Sequence, residues 1–397
     1  MENYKYLIIG GGMSADAAVK GTREIDPQGS IGLFSLETDP PYKRPPLTKG
    51  LWKGKSFESI WLNTESHNVA IHLEQKIVFL EAGQLVARDD QGNEFQSEKV
   101  LLATGGRPRR LAFGEDIIYY RKLPDYRRLA AMSASGQDFA VIGAGFIGPE
   151  IAAALAMVGK KVSMVFPGKG IGARIYPQAL SQFLNDFFQK KGVEILAGEK
   201  VASLTSHGKQ RILKTLGGCE VIAKGIVAGL GIELNLALAN AAGLQVGNGI
   251  SVDENLVTSH PNIYAAGDVA EFYNPALGKR LRLEREDNAK SMGRQAGRNM
   301  TGASEPFHYL PYFYSDLFEL GYEAVGELDS QLETAADWAE PFQKGIIYYF
   351  REQRVCGVLL WNVWDKVPMA RELIAQPGPF KPEDLKAKNS AGWKIAE

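Results

Sequence analysis

The chain has 397 residues, with 45 Lys+Arg against 46 Asp+Glu and a formal net charge of -1. That balance excludes nucleic-acid binding or membrane attachment driven by bulk charge, and no apolar run approaches the roughly 18 residues a membrane span needs. Only Cys219 and Cys356 occur, with no Cys-x-x-Cys, which excludes a local redox-active dithiol and leaves both as expected structural thiols. The length allows two or three domains. The first strand is reached by Tyr6, so no signal or transit peptide is expected and the chain reads as cytoplasmic.

In chain order, a short apolar strand over residues 6–9 runs into Gly10-Gly11-Gly12-Met13-Ser14-Ala15 and then a helix over 15–24. Glycines permit the tight turn and let backbone N–H groups approach a pyrophosphate, and the helix N-terminus adds a favourable dipole. Gly10, Gly12, Met13, Ser14 and Ala15 are therefore candidate cofactor contacts. A strand over 30–35 precedes Glu37, which stands where such units hold a ribose hydroxyl. Prolines keep Pro40-Pro41-Tyr42-Lys43-Arg44-Pro45-Pro46-Leu47-Thr48-Lys49 extended, so a stiff loop presents Arg44 and Lys49. A strand meander over 71–91 follows. The strand over 99–102 ends in Ala103-Thr104-Gly105-Gly106, small residues suited to close backbone approach.

About 130 residues after the first loop the pattern returns as a strand over 138–142 and Gly143-Ala144-Gly145-Phe146-Ile147-Gly148. A helix is expected over about 150–158, with Pro149 in its first turn, where a missing N–H costs little. The next strand, 161–166, ends at Pro167-Gly168-Lys169. No acid lies between Lys160 and Arg174, while Lys169 and Arg174 add positive charge. An acid at this strand end would bind the adenosine ribose and repel a 2′-phosphate, so weak discrimination between NADH and NADPH is expected. A helix over 180–191 and further strands to Val227 follow, with Gly231 a further candidate contact. A strand over 263–265 leads to Gly267-Asp268. From about Pro311 the runs become aromatic-rich and alternating (345–350 and 355–364), which predicts an antiparallel third domain. Two loops of one type imply two dinucleotides, and a flavin with a nicotinamide is the pair that passes electrons.

These residues together resemble the FAD-dependent pyridine nucleotide oxidoreductases of the ferredoxin-reductase type, most closely the apoptosis-inducing-factor family. Both glycine loops, the Pro41–Lys49 stretch, Ala103–Gly106 and Ala265-Ala266-Gly267-Asp268 carry the likeness. Tyr314-Ser315-Asp316-Leu317, Gly321-Tyr322-Glu323-Ala324, Gly357–Trp364 and Pro368-Met369-Ala370-Arg371 look like the apoptosis-inducing-factor branch. The long C-terminal insertion of animal members is expected to be absent, residues 332–343 forming a short link.

The resemblance implies an α/β fold of two Rossmann-like, glutathione-reductase-like dinucleotide-binding domains plus a C-terminal α+β domain with an antiparallel sheet. The expected division is residues 1–109 with 233–310 for FAD, 110–232 for NAD(P)H, and 311–397 for the third domain. It further implies Asp268 at the FAD phosphate–ribityl region, Arg44, Lys49 and Arg121 near FAD, and Phe146 on the nicotinamide. Glu150 would pair with Lys49, and those two are the candidate catalytic residues. A buried carboxylate opening the apolar helix Ile151–Ala156 requires such a partner on physical grounds as well.

Two departures stand out. Arg285, after Glu284, makes the position beside the flavin pyrimidine cationic, and Tyr314 replaces a tryptophan common in relatives. The expected activity is hydride transfer from NAD(P)H to bound FAD and then electron transfer to an acceptor such as a quinone, a ferredoxin-like protein or oxygen. A slow-turnover redox-sensing protein is the alternative. The acceptor surface is expected to be shaped by Trp361, Trp364 and the C-terminal segment, though alternating strand residues bury one face and such aromatics more often belong to the core; the protein is expected to be a monomer or homodimer with no metal site.

Overall fold

The computed structural model describes residues 1–208, 210–381, 383 and 385. They form two compact units: Met1–Arg44, Ser56–Arg107 and Glu233–Pro311 in the first, and Pro45–Lys55, Pro108–Ile232 and the chain from Tyr312 in the second. In chain order the α-helices among them are α1 (Met13–Arg23), α2 (Leu123–Ser135), α3 (Ile147–Met157), α4 (Gln178–Lys190), α5 (Ala237–Ala241), α6 (Glu286–Met300) and α7 (Val367–Ala375). Among the described residues no helix is long and apolar enough to cross a membrane.

The first unit is built on a seven-stranded sheet. Glu2–Ile9 lies between Ile31–Phe34 and Glu94–Leu102, parallel to both, and Ile263–Ala265 pairs parallel with the far side of Glu94–Leu102. The carboxyl-terminal ends of these strands (6–9, 31–34, 100–102 and 263–265) are buried, largely apolar runs, as expected for parallel strands covered on both faces. Register levels their carboxyl ends: Ile9 sits opposite Phe34 and Leu102, and Leu102 opposite Ala265.

Helices α1 and α6 cross at glycines in this unit. A Cβ at Gly21 would run into the carbonyl oxygen of Arg294, one at Gly293 into that of Ser14, and one at Gly297 into that of Ala18. Side chains are thus absent where the two backbones meet.

The second unit contains a parallel five-stranded sheet in the order Val193–Ala197, Lys161–Phe166, Asp138–Ile142, Gly225–Ala228, Ile118–Tyr119. An antiparallel meander (Val201–His207, Gln210–Thr215, Glu220–Ala223) accompanies it. The same unit holds the predicted antiparallel sheet, ordered Tyr312–Leu317, Leu320–Gly326, Arg354–Trp361, Lys344–Arg351, Glu333–Glu340.

One detail differs from expectation, and another decides between two readings. Residues 332–343 are more than a link, because Glu333–Glu340 is an edge strand paired to Lys344–Arg351. Trp361 takes the core reading: it is fully buried, stacked on Tyr322, and donates its Nε1–H to the Phe342 carbonyl. Trp364 is 46% exposed. Cys356 is buried and Cys219 half-buried, and the two are not joined in a disulfide.

The glycine crossing yields a test. Gly297→Ala should lower stability by about 1–3 kcal/mol, the usual cost of inserting a methyl into a packed contact, read as an earlier first transition in urea. Gly83→Ala, where a Cβ would meet nothing within 4 Å, is the control. An unchanged midpoint for Gly297→Ala would mean that α1 and α6 part at no cost.

Candidate active site

Ligands of open parallel sheets sit beyond the carboxyl ends of the strands, and in the first unit every candidate residue lies there. Gly10 follows Ile9 with φ +137, and a Cβ on it would run into the Ala103 carbonyl. Gly12 is the N-cap of α1, and Met13, Ser14 and Ala15 are buried in its first turn. Ser14 Oγ in turn fills the space where a Cβ of Gly267 would stand, so the Gly267-Asp268 corner closes on the loop.

Glu37 accepts from the Tyr42 hydroxyl at 2.6 Å and pairs with Arg44 at 2.7 Å. Burial works against the Arg44 charge, but the carboxylates of Glu37 and Asp268, with Tyr42, outweigh it and hold its pKa above the ordinary value. Arg44 is therefore a permanent cation. Thr104 and Asn235 bond each other through side chains and carbonyls, and the Gly105 carbonyl accepts from the Asn235 N–H. Arg282 links the corner to the next candidates, donating to the Asp268 carbonyl and pairing with Glu284 at 2.9 Å. Arg285 is the N-cap of α6.

A pyrophosphate fits this edge. A Cβ at Gly12 would have only the Arg44 Nη2 within 4 Å, at 3.8 Å. The mouth of the loop thus has open space, a helix N-terminus and a guanidinium, the combination that holds an anion.

The second unit repeats the design. Ile142 lies opposite Val165 and Ala228, and Ala228 opposite Tyr119. Gly143, Gly168 with Lys169, Gly231 and Arg121 therefore emerge from one edge. Gly143 has φ +103 and Gly148 packs against its carbonyl, while a Cβ at Gly145 would meet nothing within 4 Å. That opening again suits a pyrophosphate. Ile147 is the first residue of α3, which starts three positions earlier than expected. Arg121 precedes α2, its N–H donating to the Asp125 carboxylate at 3.0 Å. Lys169 and Arg174 are exposed on the loop after Phe166.

Glu150, in the first turn of α3, is 4% exposed. Its Oε2 accepts from Lys49 Nζ and from the Thr48 hydroxyl, each at 2.6 Å, and its Oε1 accepts from the Ser315 hydroxyl at 2.6 Å. Lys49 belongs to a segment, Pro45–Lys55, grouped with this unit. Its anchors are the Tyr120 hydroxyl on the Leu47 carbonyl and Trp52 edge-on to Tyr126. Lys49 Nζ also lies 5.2 Å from the Tyr314 ring, and Phe146 meets Phe313 edge-on at 5.6 Å. Tyr176 stays neutral nearby, because burial, Tyr322, Tyr349 and the Glu150 charge push its phenol well above the ordinary range.

The structure thus brings Lys49, Glu150, Tyr314 and Phe146 together, and gathers Gly10–Ala15, Glu37, Arg44, Ala103–Gly105 and Gly267–Asp268 separately in the first unit. Lys169 and Arg174 stand exposed on the strand-end loop after Phe166. Sequence reasoning missed Thr48 and Ser315 as Glu150 partners. The available signal was stoichiometric: a buried carboxylate has about four lone-pair sites, and one lysine does not fill them.

Residues 4–293 match the pyridine nucleotide-disulphide oxidoreductase family, and residues 296–341 and 335–376 match the C-terminal domain of mitochondrion-associated apoptosis-inducing factor. Apoptosis-inducing factor 1 of Dictyostelium discoideum is 31% identical over 94% of this chain and 79% of its own. The rubredoxin-NAD(+) reductase of Ectopseudomonas oleovorans is 31% identical over 81% of this chain and 86% of its own. The reductase in the covalent putidaredoxin reductase–putidaredoxin complex superposes with a TM-score of 0.91 at 26% identity, covering 100% of this chain and 99% of that one. With two strand–glycine-loop–helix units and a buried Lys49–Glu150 pair, the chain belongs to the pyridine nucleotide-disulphide oxidoreductases, as an FAD-dependent enzyme of the ferredoxin-reductase type related to apoptosis-inducing factor.

Proposed function

We propose that the protein takes electrons from NAD(P)H through FAD and delivers them to a small ferredoxin- or rubredoxin-type protein. The observation that carries the reading is Glu150: a buried carboxylate on the helix of the second glycine loop, joined to Lys49 from the loop that follows the first. FAD would be held by residues 1–109 and 233–310, and NAD(P)H by 110–232. The acceptor would meet the domain that begins at 311, where Trp364 is exposed. The acceptor class is supported by whole-chain likeness to a reductase solved joined to putidaredoxin. A cytoplasmic setting, where reduced coenzyme is available, belongs to the same reading.

The chemistry supplied by bound FAD is the exchange of one two-electron delivery for two single-electron releases. The chain's residues supply alignment and field. Gly10–Ala15 and Arg44 would hold one pyrophosphate, with Glu37 for its ribose, and Gly143–Gly148 would hold the other. Phe146 would offer an aromatic face to the nicotinamide. Lys49, held by Glu150, would place a positive charge where negative charge builds up in hydride transfer. A slow redox sensor is the second reading, favoured by the apoptosis-inducing-factor match over the C-terminal residues. Turnover with NADH against a panel of ferredoxins, rubredoxins, quinones and oxygen separates the two. Fast reduction of an iron–sulfur protein or rubredoxin supports the reductase, and a long-lived reduced enzyme with every acceptor overturns it.

Glu150→Ala should slow flavin reduction by NAD(P)H far more than it lowers FAD occupancy. Stopped-flow reduction at the wild-type rate would reduce Glu150 to a structural carboxylate.

Coenzyme choice gives a second test. A Cβ at Gly168 would have no atom closer than the Gly170 carbonyl oxygen at 3.9 Å, so a side chain fits there without strain. Gly168→Glu should shift preference toward NADH. The wild type should prefer NADH by less than about a hundredfold, near 2.7 kcal/mol, measured as flavin reduction at subsaturating coenzyme. A larger preference would show that another group supplies the discrimination.

A further inference from the structure

We propose that Thr48 and Ser315 are positioning residues whose hydroxyls hold the Glu150 carboxylate and, through it, the aim of Lys49. The inference rests on the reading that Lys49 and Glu150 serve the flavin–nicotinamide junction.

Three donors share this carboxylate, and they divide unequally. Oε2 takes the Lys49 ammonium and the Thr48 hydroxyl, whereas the bond given to Oε1 is that of Ser315. Removing Ser315 Oγ would leave a buried carboxylate oxygen unsatisfied, which is costly in a dry site. The carboxylate's remaining freedom is rotation about its last bond, and that rotation sweeps the oxygen to which Lys49 is tied. Two hydroxyls on opposite oxygens stop it.

Ser315 has no other evident purpose. It is 2% exposed on the strand Tyr312–Leu317, on the same face as Phe313 and Leu317. An alanine would suit those apolar neighbours and would avoid burying a hydroxyl. The bond to Glu150 is what offsets that burial. Helix and strand also match in spacing. Phe146 and Glu150 are one helical turn apart, about 6 Å along α3, and Phe313 and Ser315 are two strand residues apart, about 6.6 Å. The Phe146–Phe313 and Glu150–Ser315 contacts therefore form together, and the strand that bears Tyr314 also sets the carboxylate. Thr48 adds the neighbour of Lys49 itself, so two consecutive residues grip one oxygen.

The test uses FAD-loaded enzyme with Ser315→Ala, Thr48→Val and the hydroxyl-retaining Thr48→Ser. Ser315→Ala and Thr48→Val should each slow flavin reduction at saturating NADH about tenfold, the loss of one hydrogen bond to a charged group, with little change in KM. Lys49 should acylate faster with a water-soluble succinimidyl ester, read by peptide mass, because its ammonium is less firmly held. Thr48→Ser should behave as wild type. In a Glu150→Ala background, adding Ser315→Ala should cost nothing more, since coupled residues are not additive. Wild-type rates and labelling in both hydroxyl-deleting variants overturn the inference, as does a full tenfold loss that persists without Glu150. If Ser315→Ala fails to fold, the Thr48→Val and Thr48→Ser pair decides alone. Failure of NADH and NADPH to reduce the wild-type flavin would sink the functional reading instead, and is distinguishable from either result.

Discussion

Parallel strand pairing in level register is the constraint on which both halves of this protein depend. Side chains alternate along a strand, so a slip of one residue would turn every inward residue outward, and burial on both faces forbids it. Once Ile9, Phe34, Leu102 and Ala265 are level, the residues that follow them have no freedom about where to appear. Gly10, Glu37, Ala103 and Asp268, scattered over more than half the sequence, converge because four apolar runs are in step. Ile142, Val165, Ala228 and Tyr119 do the same for Gly143, Gly168, Gly231 and Arg121. Specific chemistry is placed by unspecific packing.

Glu150 is the exception that packing alone does not explain. An ionised carboxylate in an apolar helix is a net cost unless its geometry is good and its lone pairs are filled. Here a proline-stiffened segment and an edge strand converge on it, each contributing donors. Such convergence is poor economy for stability, because apolar residues of similar volume would do as well or better. It makes sense as a fixed charge arrangement that another molecule is to meet.

How much was legible in the sequence followed from how local the physics was. The glycine loops announced themselves because a tight turn, an anion and a helix start are properties of a few consecutive residues. Glu37 was visible by its place after a strand. The Lys49–Glu150 pair came from the resemblance, with only a general argument about buried charge beside it. Thr48 and Ser315 were invisible as partners because a hydroxyl is content with water, backbone or carboxylate, and only the fold selects among them. The roles of Gly21, Gly293 and Gly297 were invisible, since a glycine inside a helix only costs stability until a second backbone lies against it. The strand Glu333–Glu340 was hidden by its edge position: charged ends and alanines protect an edge and blur the alternation that reveals inner strands.

The glycine crossing of α1 on α6 has a consequence for how the protein is born. Helix α1 ends at Arg23 and α6 begins at Glu286, roughly 260 residues later in synthesis. At about 5–20 residues per second, the ribosome needs roughly 13–50 s to supply the helix that covers α1, and Ile263–Ala265 is scarcely earlier. The sheet running from Ile118 to Ala228 is contiguous in the chain and complete long before. That sheet is therefore positioned to form on the ribosome. The first unit must wait with its first glycine loop uncovered and its core strands exposed, and that interval is when misassociation competes most with its folding.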